Sequence, residues 1–516
     1  MGIFSSFSLK IGIVIALLLV LTYLNLRIDF SAQSAYSLSD VSKEAMSSLE
    51  DNMVAKIMAS PELPADLNSL SRYLQDLLSE YQLASKGRFR WEFVRNLSRE
   101  DLFSTAQQNG IRVMRYQIYE NDQMISKELI FGLTFEYQGK VESISLLPKM
   151  EAKLEYELTQ RIQRLAQHSL PRLAVFRDST YYDFPTRYFE ESLNSNFAVE
   201  DADLSRPLEA VDALLFTGIV RNLQEQELYH LDQYLMKGGK VVFLQDRVDT
   251  DGYNLYSLDN NLIDMLQHYG IELSRDVVLD MYCEQRQTGL GVMANYPMYP
   301  ILRGSDHIIT RNIDNIVMYL ASGINFRVQD DVSFEPILQS SIYSGWMKYP
   351  KFEVSKDLFY DTSAHDFDAG SIITGALLKG RFKSYFKDSE LAAKDPGFSA
   401  ETADQQIVIF GDKELVIDPD RELFQDRSNI IFNALDYLTS RESMIHIRSR
   451  HLTSSSLSVP RFMQKVGIMW GDMPKIENNI KLAVKVIAIA LPALILIVVG
   501  LIQALRRKYR VRFRYE

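Results

Sequence analysis

The chain has 516 residues, 47% hydrophobic and 24% charged, which excludes disorder as its default and allows two or three domains. Its net charge of −11 argues against a nucleic-acid partner held through phosphates. The single cysteine, Cys283, excludes an intrachain disulfide, so stability has to come from the core.

Ile11 to Leu26 is an apolar run with only Thr22, Tyr23 and Asn25 as polar members. As a helix it spans roughly 24 Å, and Leu9 and Phe7 extend it toward the thickness of a bilayer core. Ala32-Gln33-Ser34 offers small residues for signal cleavage, but Lys10 makes a thin basic flank, so the reading is a retained span. Ser39 then caps a helix over Asp40–Leu49, and Val54–Ala59 reads as a strand. Pro64 opens a helix whose stripe is Leu67, Leu70, Leu74, Leu77, Leu78 and Tyr81. Alternation marks strands at Arg88–Val94, Arg112–Tyr119, Leu129–Tyr137 and Val141–Leu146. The order suggests a small thioredoxin-like α/β domain over 31–150, without the Cys-x-x-Cys pair that redox chemistry needs.

Leu154, Leu158, Ile162 and Leu165 form the stripe of a helix opening a larger α/β domain, 151–450, of flavodoxin- or amidotransferase-like parallel-sheet type. Its centre is Val211–Asp246. Ala213–Thr217 is a buried parallel strand, and Leu228, Leu231 and Leu235 mark a helix stopped by Gly238-Gly239. Lys240–Leu244 is a second strand that delivers Gln245 and Asp246 to its carboxyl end. Residues 281–400 read as an irregular insertion rich in Tyr and Gly. Gln406–Phe410 returns as a buried strand ending in Gly411-Asp412, Asn429–Leu438 is helical, and Met444–Arg448 closes the domain. A linker over 451–485 leads to Val486–Leu505, 20 residues without charge and roughly 30 Å long as a helix.

The tail after that segment, 506–516, carries six basic residues and one acid, a net +5. Removing this and the +1 of the first ten residues from the total of −11 leaves −17 on residues 11–505. Basic flanks stay in the cytoplasm, so the expectation is a two-pass protein of a bacterial inner membrane. Its N-terminal span and short tail occupy 1–30, and its acidic bulk is extracytoplasmic. The tail also suits anionic lipid headgroups.

Open parallel sheets bind ligands beyond the carboxyl ends of their strands, so Asp178, Ser179, Gly218 and Asp246 are the candidate ligand-binding residues. Asp246, Asp249 and Asp251 resemble the start of a calcium loop, but Ser257 stands where its closing Glu belongs, so a solvated loop is expected. His365, Asp366 and Asp368 are three potential metal ligands without a partner cluster, and no metal is expected there. Gly370 and Gly375 have phosphate-loop spacing but lack the Lys-Ser/Thr that follows in such loops. Cys283 lacks the small-residue turn of a catalytic nucleophile and reads as a core thiol.

In order along the chain stand Tyr36-Ser37-Leu38-Ser39, Leu154-Glu155-Tyr156-Glu157-Leu158, Leu231-Asp232-Gln233-Tyr234-Leu235 and His307-Ile308-Ile309-Thr310. Ser344-Gly345-Trp346, Leu377 to Phe386, Ile409-Phe410-Gly411-Asp412, Asn433 to Leu438 and Ile445-His446-Ile447-Arg448 follow. In this order they resemble the auxiliary subunits of ABC transporters typified by the gliding-motility protein GldG. That resemblance implies a non-catalytic subunit working with an ABC permease and an ABC ATPase on separate chains, with no cofactor. It departs in one place: relatives often carry a Gly-His-Gly turn where Arg177-Asp178-Ser179-Thr180 stands here. A structural envelope scaffold and, less favoured, an amidotransferase-like enzyme are the alternatives.

Overall fold

In the computed structural model, the described residues are 38–452 apart from Asn96, 121–122, 167–169, 179–180, 182–184, 252, 288–292, 312, 314–315, 353–366 and 418–420. The two apolar segments expected to span a membrane, the basic tail, Ser179, His365 and Asp366 lie outside these residues. Among the described residues no helix is long and apolar enough to cross a membrane. The described residues form two compact units, 38–171 with 196–198 and 441–452, and 172–195 with 199–440.

The first unit opens with α1 (Asp40–Ser47), where Ser39 Oγ accepts the Ser42 N–H at 3.2 Å as the cap expected of it. Strand β1 (Met53–Ala59) leads to α2 (Ala65–Ala84), whose buried stripe is the leucine series ending at Tyr81. Then come β2 (Phe89–Phe93), α3 (Arg99–Gln108), β3 (Met114–Glu120), β4 (Gln123–Leu129), β5 (Phe131–Tyr137) and β6 (Lys140–Ser145). The sheet order is β2-β1-β5-β6, with β1 parallel to β2 and antiparallel to β5. This is the thioredoxin-like arrangement, with the β3–β4 hairpin inserted as a sheet of its own.

Leu129–Tyr137 reads as one strand in the sequence but is two. Ile130 separates them because its amide donates to Ser60 Oγ at 2.9 Å and its carbonyl accepts Ser60 N–H at 2.8 Å. Helix α3 has only Leu102 and Ala106 buried, too thin a stripe to be legible. Helix α4 (Glu151–Ala166) is assigned to the larger domain by sequence but packs in this unit. Its buried Glu155 accepts hydrogen bonds from Ser39 N and Ser42 Oγ, each at 2.7 Å.

The second unit is built on a large mixed sheet in the order β14-β15-β18-β20-β21-β10-β9-β7-β8, with a short β16 beside β15. Its parallel core is β7 (Arg172–Phe176), β9 (Ala213–Phe216), β10 (Val241–Leu244) and β21 (Gln405–Phe410). After β7 come α5 (Arg187–Asn196) and the edge strand β8 (Ala198–Asp201), and between β9 and β10 lies α6 (Glu225–Met236). The capping box of α6 puts the Glu227 carboxylate 2.7 Å from Gln224 N. At its other end Gly238 turns the chain at φ +91°, as the Gly-Gly pair predicts. The hairpin β11 (Val248–Thr250) and β12 (Leu255–Ser257) leaves the end of β10, and α7 (Asn261–His268) follows.

One face of the core packs Ala174, Phe216 and Phe243 against Leu228, Leu231 and Leu235 of α6 and Leu262 and Leu266 of α7. These apolar contacts are the dominant stabilising term.

The stretch expected to be an irregular insertion contributes ordered strands to the same sheet. They are β14 (Cys283–Gln287), β15 (Met293–Gly304), β16 (Ile316–Val317), β18 (Val332–Gln339) and β20 (Ile373–Gly380), and β20 pairs antiparallel with β21. A second small sheet joins β13 (Ile271–Asp280) to β17 (Ser322–Phe326) and β19 (Ser344–Met347). The short α8 (Glu390–Lys394) precedes β21, and α9 (Arg421–Leu438) follows it to pack on β9 and β10. Met444–Arg448, read as closing this domain, belongs to α10 (Glu442–Leu452) in the first unit, where Arg448 donates to the Tyr156 hydroxyl at 3.1 Å.

Candidate functional site at the carboxyl ends of the parallel strands

The four parallel strands end in polar residues, and each end is tied to its neighbour. Beyond β7, Asp178 is buried and its Oδ1 accepts from Arg221 Nε at 3.1 Å; Arg221 also reaches Glu227 at 3.4 Å. Beyond β9, Gly218 has φ +84°, and a Cβ there would meet the Leu244 carbonyl oxygen at 2.5 Å and Lys413 Cβ at 2.8 Å. Its role is conformational: only glycine lets the loop turn this close to β10. That loop is clasped by Gln245, whose Oε1 accepts Ile219 N–H at 2.9 Å and whose Nε2 donates to Ile219 O at 3.1 Å.

The centre of the site lies between the ends of β10 and β21. Lys413, only 2% exposed, places Nζ 3.2 Å from Asp246 Oδ2 and 3.2 Å from Asp249 Oδ1. Asp412 accepts from Tyr319 N at 2.8 Å and from Glu414 N at 2.6 Å. The Arg427 guanidinium lies 4.2 Å from the Tyr319 ring centroid and donates to the Glu414 carbonyl at 2.8 Å. Four carboxylates thus share a mostly buried neighbourhood with two buried cations.

The electrostatics follow from that imbalance. Burial pushes the Asp246 carboxyl up to about 7, partly offset by the Lys413 ammonium. Burial, then the Asp412 charge, pushes Glu414 up to about 8. Asp412 is raised by burial against the pull of Arg427. Burial disfavours the Lys413 charge, but Asp246 and Asp249 outweigh it and hold the ammonium above its usual range.

Of the sequence candidates, Gly218 and Asp246 come together around Lys413, while Asp178 stands at the end of β7 holding Arg221. Asp246 is 1% exposed, so the solvated loop expected here is corrected: the Lys413 ammonium lies between Asp246 and Asp249. Asp251 instead shapes the hairpin tip, its Oδ1 accepting from Tyr253 N at 2.8 Å and Asn254 N at 2.7 Å. Among the described residues no cluster of three or more His, Cys, Asp or Glu could hold a metal ion. Cys283 is buried at the start of β14 and its thiol is pushed up to about 12 by burial, which makes it inert.

Sequence reasoning passed over Lys413, Glu414, Arg221 and Arg427, and it placed Gln245 at the strand end without giving it a role. A signal existed for two of them: Asp412-Lys413-Glu414 is a charged triplet directly after a buried strand. Arg221 and Arg427 had no local signal, since both act across long sequence separations.

The model of a family described as an ABC-type uncharacterized transport system matches residues 160–439, more than half of the chain. The chain belongs to this family of transport auxiliaries. A domain of unknown function matches the transport auxiliary over residues 32–136. An uncharacterized protein of Borreliella burgdorferi is 20% identical over 443 residues, covering 83% of this auxiliary and 85% of that protein. Two solved structures are similar at low level. The mmIFT52 N-terminal domain has a TM-score of 0.33 at 12% identity, over 52% of this chain and 97% of that one. A cold-adapted β-galactosidase from Rahnella sp. R3 has a TM-score of 0.25 at 9% identity, over 56% and 34%. Likeness at this level carries neither fold nor function.

Proposed function

We propose that this auxiliary is a non-catalytic, membrane-anchored subunit of the inner membrane whose α/β units lie outside the cytoplasm. It pairs with a polytopic ABC permease that is driven by an ATPase on a separate chain. The family match over residues 160–439 carries the reading. The apolar segments 11–26 and 486–505 and the basic tail support the anchoring and its orientation. In this reading the strand-end loops at Asp178, Ser179, Gly218 and Asp246 form the face that meets substrate or partner, and motion reaches it through the anchors. A photo-crosslinking residue placed within 486–505 is expected to capture a polytopic permease in intact cells. Crosslinks to lipid alone from every position along the segment would overturn the pairing.

The internal saturation of the strand-end carboxylates favours, as a second reading, an envelope scaffold without a small-molecule ligand. It predicts crosslinks to envelope proteins and no loss of function in Asp178→Ala or Asp246→Ala variants that remain folded. The amidotransferase-like alternative is disfavoured by the buried, inert thiol of Cys283.

A further inference from the structure

On the opposite side of α6 from the sheet lies a cavity of ≈ 580 Å³, within the roughly 300–1,000 Å³ range of small-molecule sites. It is walled by the loop before β9, by α6 and its Gly238-Gly239 turn, and by α8 with the residues after it. Several polar groups in its wall are already hydrogen-bonded within the protein. Tyr229 donates its hydroxyl hydrogen to Asp395 Oδ2 at 2.8 Å, and Asp395 Oδ1 accepts from Gly397 N at 2.7 Å. His230 is held between the Leu204 carbonyl at 2.8 Å and Gln226 at 3.0 Å. Gln233 Oε1 accepts Ser399 N–H at 2.8 Å while its Nε2 donates to Ser399 O at 3.1 Å.

The apolar part of the wall comes from Pro207, Leu208, Val211, Leu391 and Pro396, and polar side chains of α6 and α8 make up the rest. Two lysines line it. Lys394 is paired with Glu390 at 2.9 Å. Lys237, the residue that ends α6, is exposed and makes no ion pair within 4 Å among the described residues. The Asp395 carboxyl is held below the usual carboxylate range by the Gly397 N–H and the Tyr229 hydroxyl and, to a smaller extent, by the Lys237 charge, so the two groups share this wall without a direct ion pair. An exposed ammonium beside apolar side chains favours a ligand with an apolar body and a negative group. The fixed charge of Asp395 in the same wall disfavours a dianion.

We propose that this cavity binds a small amphiphilic monocarboxylate, its apolar body against Leu208, Val211 and Leu391 and its carboxylate on Lys237. The proposal is independent of the transport reading, because it uses only side chains of the second unit.

The test uses full-length protein in nanodiscs of zwitterionic lipid, with empty nanodiscs as the blank. The probe is 4-phenylbutyrate, the control is 4-phenylbutylamine, and binding is read by calorimetry and saturation-transfer NMR. Saturable binding of the carboxylate is expected, with the amine at least about tenfold weaker. Lys237→Glu should weaken the carboxylate by about tenfold or more, and Leu208→Trp, which fills the cavity, should abolish it. Melting curves matching wild type show that both variants are folded. Absence of saturable binding, equal binding of acid and amine, or wild-type affinity in either folded variant overturns the proposal.

Discussion

Lys413 and Asp246 face each other at 3.2 Å with their side chains 3% and 2% exposed, each delivered from the end of a different parallel strand. Such a pair is stable only while both partners are present, because either one alone is a charge without water. Lys413 also holds Asp249, so the two partners are not equivalent. Lys413→Met should cost about 3–5 kcal/mol, leaving Asp246 and Asp249 without the ammonium that pairs with both. Asp246→Asn should cost less, since Asp249 still meets the ammonium. Denaturant titrations of the two single variants and the double variant give the coupling. A double variant no better than the sum of the singles would contradict the pairing.

The pH dependence has a definite sign. Asp246 and Glu414 have folded pKa values of about 7 and about 8, above the ordinary carboxylate range. A carboxyl raised in the folded state makes that state bind protons more readily than the unfolded chain, so stability falls as pH rises toward and through the raised value. Lys413, held above its usual range, stays charged throughout this window and adds no slope. The melting temperature of the detergent-solubilised protein should therefore fall between pH 6 and pH 8.5, and the fall should be smaller in Asp246→Asn. A melting temperature that rises over this interval would refute the assignment.

Two glycines with similar backbone angles separate conformational cost from collision. Gly238 has φ +91° and open space around a would-be Cβ, so Gly238→Ala should cost about 1 kcal/mol. Gly218, at φ +84°, adds contact with the Leu244 carbonyl and Lys413, and Gly218→Ala should cost more. Equal melting shifts for the two variants would show that the loop gives way.

The lone thiol supplies a simple probe of the second unit. Cys283 is 1% exposed, and iodoacetamide should label it only after denaturation. Rapid labelling of the native protein would mean that the β14 edge opens. Cys283→Ala should leave cellular function intact.

Much of this fold was legible in the sequence. Leu67 to Tyr81 repeat at helical spacing, Ser39 caps, and the apolar runs at 213–217 and 240–244 stand beside Gly218 and Gly238-Gly239. Each is a local signal, and each element formed where its residues predict. The strands between 281 and 400 were harder to read because they combine Tyr, Gly and Pro with long-range antiparallel pairing; Leu377, for example, sits opposite Val408. Helix α4 was misassigned because its stripe says that it is buried without saying against what. Asp246 was legible as a strand end, but the cation that meets it comes from 167 positions away. Lys413 is a buried lysine, which composition and periodicity cannot tell from a surface one.

The most direct test of the central claim is co-purification from the native membrane. A tagged full-length chain would be extracted in mild detergent and its partners identified and counted by mass spectrometry. The account predicts an ABC ATPase and a polytopic permease in fixed ratio to the auxiliary. Recovery of the folded, membrane-bound chain without either would contradict it.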